Sequence, residues 1–213
     1  MPMADNEPRT LYTVGHSNHP IDEFVGLLKR HGITVVADVR SAPYSGYAQH
    51  FNKEPLAAYL KRHEVEYVFL GKELGARPDD SSCYKNGRVE FKKLATTFLF
   101  NQGLERLWKG VQTHSVALMC AEKDPTTCHR MILVCRNLRS MGWHIQHILA
   151  DGSLEDHQAA ERRLVAMTGV QPSLFDTDSS AEALVDQAYD RQAEQIAMQL
   201  PEGYELATGG QSD

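Results

Sequence analysis

The chain has 213 residues, 42% of them hydrophobic, which suffices for one well-buried core with an appendage but not for two ordinary domains. No stretch approaches the roughly 20 apolar residues that a membrane helix needs. Residues 1–10 are polar, with Asp5 and Glu7 where a secretion signal is basic and then apolar, so a cytoplasmic protein with no membrane partner is expected.

The formal charge of −6 is unevenly spread. Residues from Gln171 onward carry nine acidic side chains and one basic one, which leaves 21 basic and 19 acidic in residues 1–170. A basic patch that meets a phosphate therefore stays open. Four cysteines, Cys83, Cys120, Cys128 and Cys135, are too few for a disulfide framework and are expected as thiols, ligands or core residues.

Along the chain, residues 1–10 read as a disordered N-terminus. Five short apolar runs rich in β-branched residues then follow, at 11–15, 33–38, 65–70, 115–120 and 144–149. Between them Ile21, Phe24, Leu27 and Leu28 recur at helical spacing, as do Leu56, Tyr59 and Leu60. Further helices are predicted at 89–100, 104–113, 125–141 and 154–167, with Asp124 and Pro125 suited to a helix start. The alternation predicts an α/β fold: a mainly parallel five-stranded sheet flanked by helices, a three-layer sandwich spanning residues 11–168. Residues 71–87, rich in Gly, Pro, Asp and Ser, read as a long loop. Residues 169–213 read as an acidic linker, one amphipathic helix marked by Leu184, Val185, Ala188, Tyr189, Ile196 and Leu200, and a frayed tail.

In open parallel sheets ligands bind beyond the carboxyl ends of the strands, where loops and helix N-termini converge. That rule gathers His16 and Ser17 after the first strand, Asp38, Arg40, Ser41 and Ser45 after the second, and Cys120 and Glu122 after the fourth. Cys128, His129 and Arg130 are placed in the first turn of the following helix. A thiol there, beside an arginine, has a lowered pKa, which makes Cys128 the stronger nucleophile candidate. Glu122, Asp38 and His129 are candidate proton carriers, and Arg40 and Arg130 candidate anion holders. The pair Asp38 and Arg40 reads equally well as a buried ion pair fixing the loop. The spacing Cys-x7-Cys-His also suits a transition metal, zinc or iron, held by Cys120, Cys128 and His129 with His16 as a fourth ligand. Cys135 and His147 read as core residues. No Gly-rich phosphate loop, Gly-x-Ser-x-Gly elbow or His-Glu-x-x-His is present. The first arginine after Cys120 is Arg130, too distant for the phosphate cradle of a cysteine phosphatase or rhodanese-like loop. An enzyme-like domain for an anionic small molecule, nucleotide or nucleic acid is the leading expectation, of the hydrolase or transferase kind. A metal-binding regulatory module is one alternative, and a DNA-repair accessory protein that docks on its partner through residues 171–175 is the other.

In the tail, Gln171-Pro172-Ser173-Leu174-Phe175 resembles the short peptide by which many bacterial DNA-processing proteins bind the ring-shaped sliding clamp. Leu174 and Phe175 would be its apolar anchors, with Gln171 ahead of them. The competing expectation is that this pair staples the tail to the domain.

Thr13-Val14-Gly15-His16-Ser17-Asn18, Asp38-Val39-Arg40-Ser41-x-Pro43-x-Ser45, Glu73-Leu74-Gly75, and Leu118-Met119-Cys120-Ala121-Glu122 followed by Asp124-Pro125 and Cys128-His129-Arg130 together resemble the bacterial family known as domain of unknown function 488. The resemblance covers about residues 11–168. It implies a compact α/β domain with its active site among these polar elements, and it lends no reaction. Gly46 stands where that family often has Arg, and Ala76 where it often has a second Gly.

Overall fold

The computed structural model describes residues 10–172 and 180–199. Its sheet is built from β1 (Thr10–Gly15), β2 (Val35–Asp38), β3 (Glu66–Phe69), β6 (Val116–Cys120), β7 (His144–Ile148) and β8 (Leu154–Asp156), in the order β3-β2-β6-β1-β7-β8. A two-residue pair, β4 (Tyr84–Lys85) and β5 (Arg88–Val89), stands apart from it. All neighbours in the large sheet are parallel except β7 and β8.

The central strands alternate between two cores because successive side chains face opposite sides of a sheet. In β6, Val116, Leu118 and Cys120 join the larger core, while Ala117 and Met119 join the smaller one. Helices α1 (Ile21–Arg30) and α2 (Lys53–Arg62) cover the smaller core through Phe24, Leu28, Leu56 and Leu60. The opposite face carries α3 (Gly71–Leu74), α4 (Phe91–Thr96), α5 (Phe98–Val111), α6 (Arg136–Arg139), α7 (His157–Thr168) and α8 (Ala181–Ile196). The expected parallel sheet flanked by helices is therefore present.

Four local expectations are refined. The sheet has a sixth strand, because the turn at Asp151–Ser153, with Gly152 at φ +83, sends residues 154–156 back along β7 before α7 begins. The stretch 71–87 is not a plain loop. It holds α3, a 3-10 turn at Ser81–Cys83 and the start of a hairpin whose Asn86 and Gly87 have φ of 51 and 74, the pairing that two-residue hairpin turns require. The helix expected at 89–100 is broken at Thr97, whose hydroxyl accepts the Phe100 N–H at 3.2 Å and starts α5. The helix expected at 125–141 is likewise divided. Asp124 caps only a 3-10 turn, Pro125–Thr127, and after an extended Cys128 the chain forms a π-helix at Arg130–Cys135 that runs into α6.

The loop after β6 lies directly on the end of β1. His16 N–H donates to the Cys120 carbonyl and Ser17 N–H to that of Ala121, both at 2.9 Å. A Cβ on Gly15 would stand 2.0 Å from the Glu122 carbonyl oxygen, so only glycine admits this approach. Helix α8 is anchored by Tyr189, which ends a buried chain of polar groups. Thr13 Oγ1 meets His147 Nδ1 at 2.8 Å, His147 Nε2 meets His157 Nδ1 at 2.9 Å, and His157 Nε2 meets the Tyr189 hydroxyl at 3.1 Å. The hydroxyl donates to Glu161, which pairs with Arg139 Nε at 2.7 Å.

Two outcomes follow. Gly15→Ala is expected to push the Glu122 loop off β1 and to cost on the order of 1–3 kcal/mol, the usual range for overpacking; a urea unfolding curve matching the wild type would show that the loop has room. The second concerns acid. Burial, then the Arg139 charge, lowers His157 from 6.5 to about 4, and burial, then the charge of His157, lowers His147 in the same direction. The folded chain thus binds fewer protons than the unfolded chain between those values. The stability this contributes is complete above pH 6.5 and is lost as pH falls towards 4, amounting to about 3 kcal/mol for His157 alone. Unfolding free energy measured from pH 7 to pH 4 should fall less steeply in His157→Gln, and an unchanged slope would remove this residue from the acid response.

Candidate functional site

At the carboxyl edge of the sheet, a cleft of about 200 Å³ is lined by Arg40, Arg77, Cys120, Glu122, His129 and Met198, among others. The ends of β2 and β6 supply its floor. Residues after α3 and the segment after α8 supply its walls.

At and beneath this floor four electron-pair donors converge. Cys120 Sγ and Cys128 Sγ each lie 2.9 Å from the same oxygen, Glu122 Oε2, and Cys120 Sγ lies 3.5 Å from His129 Nδ1. One ligand atom from each of these four residues falls within 4.8 Å of every other. The imidazole is oriented from behind. His129 Nε2 sits 2.9 Å from the Val39 carbonyl, which can only accept, so Nε2 carries a proton and Nδ1 is the nitrogen turned to the cysteines.

Cys128 closes the 3-10 turn just ahead of the π-helix. Its backbone is extended at φ −127 and ψ 141, its carbonyl accepts from Met131 and Ile132, and its Sγ accepts the Arg130 N–H at 3.4 Å. Burial works against a thiolate there, but the hydrogen bond with Cys120, the Arg130 charge and His129 outweigh it and pull the Cys128 pKa well below the thiol range. Cys120 moves the other way, raised by burial and by its neighbours Cys128 and Glu122. His129 is raised, since its loss of solvent is outweighed by the pull of Cys128.

Arg130 is wholly buried. Its Nη1 donates to the Glu122 carbonyl at 2.5 Å and its Nη2 to that of Lys123 at 3.0 Å, while Nε has no partner among the described residues. It clasps the loop from beneath instead of facing the cleft.

Arg40 is placed differently. Asp38, fully buried, accepts from the Arg40 backbone N–H, from Nε at 2.9 Å and from Nη2 at 2.6 Å, and also from the Tyr67 hydroxyl. Nη2 also reaches the Phe51 carbonyl, and Nη1 lies 3.1 Å from His16 Nε2. Burial opposes the Arg40 charge, and Asp38 more than restores it. His16 donates from Nδ1 to the Ser17 carbonyl and is lowered to about 4, by burial first and then by Arg40, so it is a neutral imidazole with both nitrogens engaged.

Of the residues singled out in the sequence, Cys120, Glu122, Cys128 and His129 meet at one point, and Arg40 and Ser41 border the same cleft. Glu122 stands in the donor set where His16 was expected. Asp38 serves Arg40, and Cys128, 1% exposed, lies behind Cys120 and outside the cleft lining. Ser17 is in the turn after β1, and Ser45 accepts the N–H groups of Tyr47 and Ala48 in its own loop. Gln171 is exposed, while Leu174 and Phe175 lie outside the described residues. Arg77 was not anticipated. It is exposed, its guanidinium makes no hydrogen bond or ion pair among the described residues, and its backbone N–H is fixed by Ser41 Oγ at 3.0 Å.

Among the described residues no helix is long and apolar enough to cross a membrane. Comparison with curated proteins and with solved structures gives no significant match. A family model described as domain of unknown function DUF488 matches residues 20–136, more than half of the chain, a span that includes Asp38, Arg40, Arg77 and the whole donor cluster from Cys120 to His129. On that match, the chain belongs to the DUF488 family.

Proposed function

We propose that the domain is an enzyme-like protein that takes an anionic substrate, a phosphate- or carboxylate-bearing small molecule or a nucleotide, into the cleft at the carboxyl edge of its sheet. One observation carries this reading: Arg77 and the remaining N–H of Arg40 flank a small cleft in which, among the described residues, Glu122 is the single acidic one. A planar guanidinium suits a pair of carboxylate or phosphate oxygens. Arg40 is preorganised by Asp38 and His16, so little entropy is lost when it binds, and Arg77 adds charge at the rim.

Glu122 and His129 are placed to move protons. The carboxylate opens on the cleft, and His129 lines it with Nδ1 turned to the cysteines because Val39 holds the other nitrogen. The thiol that borders the cleft is Cys120, not Cys128, which turns the cysteine pair away from attack by the more acidic thiol and towards a role in holding something between them.

Titration with inorganic phosphate and pyrophosphate tests the anion site. One saturable site is expected, weakened by salt because Arg77 is exposed. Arg77→Ala should weaken it about tenfold, the scale of one charge-assisted hydrogen bond. Glu122→Gln should tighten it by removing a like charge from the cleft. Phosphate binding that is absent, or that both variants leave untouched, would overturn the reading.

A further inference from the structure

We infer that Cys120, Cys128 and His129 form a zinc-binding site, and that Glu122 is its exchangeable fourth ligand, leaving when the substrate's anionic group enters from the cleft. The second half of this inference rests on the anion reading above; the first half does not.

Two thiols and a carboxylate oxygen share a space with at most two thiol protons between them, and an imidazole nitrogen faces the same space. In the absence of a cation, removing either proton sets two anions 2.9 Å apart. Two sulfurs, one imidazole and one carboxylate are a donor set that zinc takes as a tetrahedron. With zinc–sulfur and zinc–nitrogen distances of about 2.3 and 2.0 Å, the sulfur–nitrogen edge of such a tetrahedron is about 3.5 Å, and Cys120 Sγ to His129 Nδ1 is 3.5 Å. That edge is already at ligation distance.

The surroundings are those of a metal site. Val39 fixes the imidazole through its far nitrogen, as outer partners of ligating histidines do. A backbone N–H points at the Cys128 sulfur. Among the described residues the fully buried Arg130 makes no ion pair with a carboxylate, its Nη groups reach backbone carbonyls, and its Nε has no acceptor. A buried unpaired cation is costly, and the charge count resolves it. Zinc with two thiolates is neutral, Glu122 makes the group −1, and Arg130 returns it to zero.

The four donors are not equally held. Cys120 and Cys128 are 2% and 1% exposed, whereas Glu122 is an exposed residue on the cleft wall. Its backbone is pinned by Arg130 and by Gly15, so only its side chain can swing. The sulfur–oxygen edges, 2.9 Å, are also shorter than the roughly 3.6 Å that a zinc tetrahedron sets, so the carboxylate is the donor that must move to ligate. Once displaced, Glu122 stands beside the bound anion as a base.

The test is zinc content of the full chain, purified without oxygen and supplied with zinc. One ion per chain is expected in the wild type and in Glu122→Ala, with at least a fivefold loss in Cys120→Ser, Cys128→Ser and His129→Ala. Where a serine variant fails to fold, alkylation mapped on the wild-type chain decides: zinc should slow labelling of Cys120 at least tenfold relative to the chelator-treated chain. In the cobalt-loaded protein, thiocyanate should shift the visible spectrum at a concentration about ten times lower in Glu122→Ala than in the wild type. A wild-type chain that binds no zinc and shows no protection overturns the site, while phosphate binding would still stand. Loss of zinc in Glu122→Ala equal to that in the cysteine variants overturns the exchangeable role alone.

Discussion

The site depends on one buried cation. Arg130 sits beneath the loop that follows β6 and holds the carbonyls of Glu122 and Lys123 in the same grip. The opposite side of that loop rests on Gly15, with no room for a side chain between them. Held from both sides, the loop fixes the start of the Glu122 side chain over Cys120 and Cys128. The π-helix that begins at Arg130 widens the helix at this point, a departure from α geometry that is frequent near functional positions. It brings the arginine side chain under the loop while its backbone N–H still faces the Cys128 sulfur.

The second arginine does opposite work. Arg40 is neutralised by Asp38, steadied by His16 and Phe51, and left with one unspent donor at the cleft. His16 stacks on Phe51 with ring centroids 4.2 Å apart, which ties this network to the smaller core. The burial that makes Arg40 rigid also keeps His16 uncharged, so the network adds no net charge. Its contribution is direction. What remains to attract an anion is Arg77, at the rim.

Much of this was legible in the sequence for a physical reason. The inner strands are buried on both faces, so residues 33–38 and 115–120 read as continuous apolar runs, and polar residues just beyond them had to lie at the carboxyl edge. That placed Arg40, Cys120 and Glu122 correctly. Strand β8 escaped because its three residues, Leu154, Glu155 and Asp156, have no apolar run and are strand only through pairing with β7. The hairpin was signalled by Asn86-Gly87 and hidden by the polar stretch around it. Arg77 carried no signal, since its position is set by Ser41 and not by any periodicity of its own loop. The exchange of His16 for Glu122 was illegible for a different reason: spacing gives which residues approach the edge but not where a ring turns once Arg40 and the Ser17 carbonyl compete for it.

The C-terminal segment links these parts to the outside. Ile196 and Met198 reach the cleft wall only because α8 is locked down elsewhere, by Arg136 to Asp190 at 2.7 Å, by Tyr189 in the buried histidine chain and by Gln192 donating to the Thr126 carbonyl. Thr126 belongs to the 3-10 turn just ahead of Cys128, and Asp124 at its start is held by Arg163 of α7. The turn that sets the Cys128 position is thus braced by two helices that supply no chemistry. Residues from Gln171 onward hold all of the chain's excess acid, yet α8 spends Asp186 and Asp190 on arginines of the π-helix's continuation, α6, and on Lys92. That share of the acidic charge is consumed in holding the wall in place, and among the described residues the cleft keeps its cationic rim.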